Sequence, residues 1–229
     1  MSAAHRDFLV EIGTEELPPK SLLTLATAFA DGIAKGLTDA GLKHRTVERF
    51  ATPRRLAVRV RRLAERQPDR AIERRGPPLK AAFDAQGAPT QAAVAFAKSC
   101  GVEVNDLKQL ETPKGAWLVH RGTESGAYTA SLLPAIVQAA LDALPIARRM
   151  RWGAGEAQFV RPVHWVLMVF GKETLPCEIL GVPSSNVTYG HRFMAPKALR
   201  VSTPASYVAL LRKHGRVLAD LHERRETIR

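Results

Sequence analysis

Cysteine is almost missing from this chain. Its two copies in 229 residues, Cys100 and Cys177, stand far apart among apolar neighbours. That excludes a disulfide framework and any Cys-x-x-Cys motif, and it leads us to expect buried thiols in a reducing compartment. Long apolar runs are missing too. The longest, Val163 to Phe170, is broken by His164 and has the length of a strand rather than of a membrane span. The opening residues, Met-Ser-Ala-Ala-His-Arg-Asp, hold no apolar signal core, so a cytoplasmic location with no membrane contact is expected.

Chemical signatures are equally scarce. The seven histidines never fall in His-x-His or His-Glu-x-x-His spacing, so no metal site is indicated. His164, inside an apolar strand, reads as a satisfied core histidine. Gly-x-Ser-x-Gly does not occur, and neither cysteine has the basic neighbour that would make it a nucleophile. Gly153-Ala154-Gly155 lacks both the further glycine and the lysine of a nucleotide loop. Glu15-Glu16 could act as general acid or base. The plainer reading is an acidic pair stabilised at the N-terminal end of a helix. No catalytic residue is therefore assigned.

Positive charge is what the chain has in excess. Thirty-four Lys and Arg face 22 Asp and Glu, a net +12 that attracts polyanions. Between Arg45 and Arg75 there are eleven arginines, no lysine and four acids. The guanidinium fork matches phosphate bidentately and also stacks on unpaired bases, which favours RNA over DNA. Two further clusters mix arginine with aromatics: Arg148-Arg149-Met150-Arg151-Trp152 and Tyr189-Gly190-His191-Arg192-Phe193. The candidate RNA contacts are Arg54, Arg55, Arg59, Arg61, Arg74, Arg75, Arg151 and Arg192, presented by turns at Thr52-Pro53 and Gly76-Pro77. For the arginines of the 55–61 strand, the plain alternative is a solvated face.

The pattern of elements is α+β. A strand at 8–13 is followed by a helix opened by Pro18-Pro19, with apolar positions from Leu22 to Leu37 and Gly41 as its stop. A strand pair follows at 46–51 and 56–61, with Leu56, Val58 and Val60 facing the core and Arg55, Arg59 and Arg61 on the other face. Residues 65–90 read as a long loop with one helical turn near 79–83. Then come a helix from Thr90 to Gly101, a strand at 116–120, a helix from Thr129 or Ser131 to Pro145, a central strand at 159–170 and a short strand at 175–180. A last helix opens at Ser202-Thr203-Pro204 and runs to Arg229 without a stop signal. The expectation is a mixed, largely antiparallel sheet with packed helices. Residues 1–203 would form one domain with a sub-boundary near 123–128, and 204–229 would begin a helical linker in a piece of a longer polypeptide.

Six ordered motifs carry a resemblance. Leu9 to Pro19 (Leu-Val-Glu-Ile-Gly-Thr-Glu-Glu-Leu-Pro-Pro) resembles the opening signature of the β subunit of bacterial glycyl-tRNA synthetase. Thr52-Pro53-Arg54-Arg55-Leu56, Arg74-Arg75-Gly76-Pro77, Met150-Arg151-Trp152, Phe159-Val160-Arg161-Pro162-Val163-His164 and Gly190-His191-Arg192-Phe193 are similar to that family's later motifs in the same order. The resemblance implies an α2β2 enzyme that joins glycine to tRNA(Gly) with ATP and magnesium. The adenylate chemistry would lie on the α subunit, and the β subunit would supply tRNA binding. It implies no cofactor and no catalytic residue in this stretch, and a β chain that continues into metal-site-like and anticodon-binding domains. The family's N-terminal part is similar to the substrate-handling domain of the phenylalanyl-tRNA synthetase β chain, a domain type that edits elsewhere. Two rival roles follow: docking of the α subunit, with Glu15, Glu16, Met150 and Trp152 as contacts, and an editing hydrolase built around Glu15-Glu16.

Overall fold

The computed structural model describes residues 4–84, 86–113 and 115–229. Its elements, in chain order, are β1 (His5–Thr14), α1 (Leu22–Asp39), β2 (Val47–Thr52), β3 (Arg55–Ala64), β4 (Arg70–Pro78), α2 (Leu79–Ala82), α3 (Gln91–Cys100), β5 (Lys108–Thr112), β6 (Gly115–Glu124) and α4 (Thr129–Asp142). There follow β7 (Met150–Arg151), β8 (Gln158–Phe159), β9 (Val163–Phe170), β10 (Glu173–Thr174), β11 (Glu178–Ile179), β12 (Val182–Ser185), β13 (Val187–Tyr189), β14 (Ala198–Arg200), α5 (Tyr207–Lys213) and α6 (Leu221–Ile228). The fold is α+β with largely antiparallel pairing. Among the described residues no helix is long and apolar enough to cross a membrane.

The chain forms two compact units. One comprises residues 1–67 and 127–229, and the other is the intervening 68–126. The larger is built on a sheet of order β11-β12-β9-β1-β3-β2, with β10 beside β9. Only β12 runs parallel to its neighbour β9. Strand alternation sends Phe8, Val10, Ile12, Leu56, Val58, Val60, Val166 and Met168 to one face. There they meet the apolar stripes of α1 (Leu25, Phe29, Ile33, Leu37) and α4 (Leu133, Val137, Leu141).

The opposite face is covered as well, and here the structure departs from the sequence reading. Leu9, Phe50, Ala57, Leu167 and Val169 pack against Val201, Tyr207, Leu211 and Ala219. The face of β3 that carries Arg55 and Arg59 is therefore interior. The covering segment is not one continuous helix: α5 ends at Lys213, Arg216 takes a left-handed φ of 55°, and α6 begins only at Leu221. Gly215 was the overlooked breaker.

In the smaller unit, residues 70–78 form β4 rather than a loop. β4 pairs with β6, which also pairs with β5, a strand the sequence reading did not include. Ala82, Ala93 and Leu118 make its small core with Phe83 and Phe96. The helical turn expected near Leu79 is α2. Cys100 and Cys177 are free thiols, half-buried rather than fully enclosed.

Gly13 shows how tightly the larger sheet is built. A Cβ at this position would lie 1.9 Å from Cε2 of Trp165, whose indole lies across the strand. Gly13→Ala should therefore cost about 1–3 kcal/mol or more in urea unfolding, the penalty of overpacking. Adding Trp165→Leu should return part of the loss, giving a positive coupling in the double-mutant cycle.

Candidate functional site: an arginine-lined cleft

Strand β3 starts after a two-residue turn, Pro53-Arg54, and the alternation of the strand separates two adjacent arginines. Arg55 points inward and is 2% exposed. Its Nε donates to Thr52 Oγ1 at 3.1 Å, Nη1 to Glu11 Oε2 and to Thr188 Oγ1, both at 3.3 Å, and Nη2 to the Tyr189 carbonyl at 2.6 Å. Glu11 also accepts from the Trp165 indole, the Thr188 hydroxyl and the Tyr207 phenol. Burial and the Glu11 carboxylate push the Tyr207 phenol well above its ordinary value. Every nitrogen and oxygen of this charged pair thus has a partner inside the protein, although Arg55 also borders the cleft described below.

Arg59, 6% exposed, is likewise turned inward. It clasps Glu48 through Nε (2.6 Å) and Nη2 (3.1 Å), donates to the Pro204 carbonyl, and lies over the Phe50 ring. Arg61 lies six residues along β3 from Arg55, about 20 Å away at strand rise, and is paired with Glu48 and Asp7. Arg151 is exposed and faces Glu156 at 3.3 Å. Arg74 and Arg75 belong to the smaller unit and are exposed. Arg74 donates to the Ser99 carbonyl, and Arg75 stacks 3.7 Å from the Trp117 ring centroid. Within the larger unit, Arg55, Arg59 and Arg61 are thus held by internal partners.

Arg54 and Arg192 do converge. Both line a cleft of about 370 Å³ together with Gly190, Phe193, Arg216 and Arg224. A second hollow of about 330 Å³ shares Arg54 and Arg192 and adds His164, Trp165 and Tyr189. Glu16 is the one acid on the wall of the first cleft, and the second has none. Arg192 and Arg216 form no ion pair among the described residues, and the Arg54 Nε is buried without a hydrogen-bond partner. A cleft lined by several cations and a single acid attracts an anion. Arg224 is spent differently. It donates to the carbonyls of Leu218 and Ala51, tying α6 to β2, and burial lowers its pKa from the ordinary value.

The loop bearing Arg192 is held by backbone approach. The His191 N–H donates to the Gly215 carbonyl at 2.7 Å. A Cβ at Gly190 would meet that same carbonyl oxygen at 2.6 Å, so only glycine lets the 190–193 loop sit on the α5–α6 turn that carries Arg216.

His164 is exposed at the edge of this region instead of satisfied in the core. Its Nε2 lies 2.8 Å from Glu15 Oε1, and Arg54 lies 3.6 Å from the same oxygen. Glu15 thus serves a histidine and an arginine rather than the start of α1. Glu16 is exposed, Met150 is 39% exposed, and Trp152 packs on the main core. Among the described residues no group of three His, Cys, Asp or Glu could hold a metal ion. Sequence reasoning missed Arg216 and Arg224, which it placed inside an unbroken helix. Gly215 was the signal that could have exposed the turn.

By fold and site this is an α+β module with an anion-attracting cleft at one end of its main sheet, where four of the sequence motifs meet. Comparison with known proteins then supplies the family. The family model described as glycyl-tRNA synthetase beta subunit matches residues 8–229. The chain is 55% identical over 225 residues to the glycine–tRNA ligase beta subunit of Hahella chejuensis, covering 98% of this chain and 32% of that protein. It is 53% identical over 226 residues to that of Marinobacter nauticus (99% and 33%) and 48% identical over 222 residues to that of Escherichia coli (97% and 32%). The chain belongs to the glycyl-tRNA synthetase beta subunit family, and it spans about a third of the length of these curated relatives.

Two measurements check this geometry. Arg55→Met should cost about 3–5 kcal/mol by denaturant unfolding because it strands Glu11 in the interior, whereas Arg54→Ala should change stability by less than about 1 kcal/mol. The hydrogen bond from His164, aided by Arg54 against desolvation, holds the Glu15 carboxyl below its ordinary 4.5. A depressed carboxyl contributes stability that is complete above the unfolded value and is lost as pH falls through the folded one. The Tm difference between wild type and Glu15→Gln should therefore be constant near neutrality and shrink below about pH 4.5.

Proposed function

We propose that this chain is the part of a glycyl-tRNA synthetase β subunit that grips tRNA(Gly) by its phosphates, in support of the ATP-dependent attachment of glycine to that tRNA in the cytoplasm. The supporting observation is the cleft itself. Motifs scattered over about 140 residues of sequence, from Thr52-Pro53-Arg54 to Gly190-His191-Arg192-Phe193, meet around guanidiniums of which Arg54 is 3.6 Å from Glu15 while Arg192 and Arg216 form no ion pair among the described residues. Internal ion pairing removes Arg55 and Arg59 from the contact set, and Arg216 joins it. Arg74 and Arg75 of the smaller unit, exposed and without carboxylate partners among the described residues, are further phosphate contacts. The chain supplies binding rather than bond-making chemistry. Adenylate formation, with ATP and magnesium, belongs to the α subunit of an α2β2 assembly.

A second role rests on a different observation. Pro18, Leu25, Pro145, Ile146, Met150 and Val160 line a groove of about 290 Å³ flanked by Arg148 and Arg161. It is the surface we assign to docking of the α subunit, with Met150 on its wall and its Arg161 donating to the Glu16 carbonyl. Met150→Asp should abolish co-elution with purified α subunit and leave tRNA affinity unchanged.

The salt dependence of binding decides the RNA reading. If about five phosphates are engaged, log affinity for tRNA should fall with log salt at a slope near −4. Arg192→Ala should reduce that slope by about 1. Affinity that stays flat between low and moderate salt would refute phosphate gripping.

A further inference from the structure

The cleft has a second kind of chemistry at its mouth. Phe193, on the cleft wall, is 81% exposed, and Met194 beside it is 69% exposed. The backbone that presents the phenyl ring is a built turn. The backbone N–H groups of Phe193 and Met194 both donate to His191 Nδ1, at 3.3 and 3.2 Å, and the Ala195 N–H returns to the His191 carbonyl at 2.9 Å. The guanidinium carbon of Arg192 lies 5.8 Å from the ring centroid. Arg216, with its left-handed φ of 55°, is kept in a conformation that favours glycine. Backbone strain of this kind, retained where the surroundings enforce it, concentrates at ligand sites.

A flat, open ring presented beside cations is the arrangement that takes a base on its face and the adjoining phosphate on the guanidiniums. At about 370 Å³ the cleft is near the lower end of small-ligand pockets and suits one nucleotide rather than a double helix. An acidic peptide would satisfy the arginines and leave the ring without a partner of matching shape. We infer that the cleft seats one unpaired nucleotide of an RNA strand, its phosphate against Arg54, Arg192 and Arg216 and its base on Phe193. This rests on the RNA-binding reading and specifies which part of the RNA the cleft takes.

The test compares fluorescence anisotropy of a short single-stranded RNA, a blunt RNA duplex and tRNA(Gly) on wild type, Phe193→Ala, Phe193→Tyr, Arg192→Ala and Arg216→Gly. Phe193→Ala should weaken single-strand binding about tenfold, Phe193→Tyr should restore it, and the duplex should be indifferent to both. Arg216→Gly should weaken single-strand binding while its Tm stays level or rises, because glycine relieves the left-handed backbone. If Phe193→Ala leaves single-strand affinity unchanged while Arg192→Ala weakens tRNA binding, the nucleotide seat is wrong and the phosphate grip stands. If Phe193→Ala instead abolishes binding of the α subunit and spares RNA, the ring is a protein contact and the seat is wrong. If wild type binds none of the three RNAs, both readings fall.

Discussion

The pair of Glu11 and Arg55, closed off from water in the middle of the sheet, organises most of what surrounds it. Two charges in such a place are tolerated only when every lone pair and every hydrogen finds a partner. Here Glu11 of β1 and Arg55 of β3 find partners on β2, β9, β13 and α5: Thr52, Trp165, Thr188, the Tyr189 carbonyl and Tyr207. Each donates or accepts at one fixed distance, so the network sets the register of the strands it joins. A slip of one residue would carry Arg55 to the apolar face against α1 and leave Glu11 alone.

The cleft inherits its geometry from that network. Because Arg55 must point inward, strand alternation turns Arg54, its neighbour in the Pro53-Arg54 turn, toward the cleft. Because Tyr207 anchors α5 over the sheet, the turn after α5 comes back to the start of β3, bringing Arg216 with it. The backbone contact between His191 and Gly215 then brings the 190–193 loop to the same place. Charge buried for architecture and charge left open to a ligand are thus adjacent products of one constraint.

Much of the fold was legible in the residues. The stripe from Leu22 to Leu37 and its stop at Gly41, the helix ending at Gly101, and the alternation of Leu56, Val58 and Val60 all express local rules that do not depend on distant neighbours. The failures share a different cause. β4 reads as a loop because Arg70 to Pro78 has little apolar content, yet it is a strand because β6 is there to pair with it. The final helix reads as continuous because its apolar spacing continues through Gly215, whereas contact with the 190–193 loop holds a turn at that point.

Composition and order of residues by themselves determined the class of fold, the excess of arginine and the ordered motifs that mark the family. They could not assign a task to any single arginine. An arginine on a strand looks the same in sequence whether the face it shares is wet or covered, and Arg55 and Arg59 became interior because residues 188–189 and 198–219 close over that face. Which guanidiniums are neutralised and which remain open depends on carboxylates and carbonyls brought from far along the chain. Coulomb attraction and desolvation act through space, so only the tertiary structure decided it.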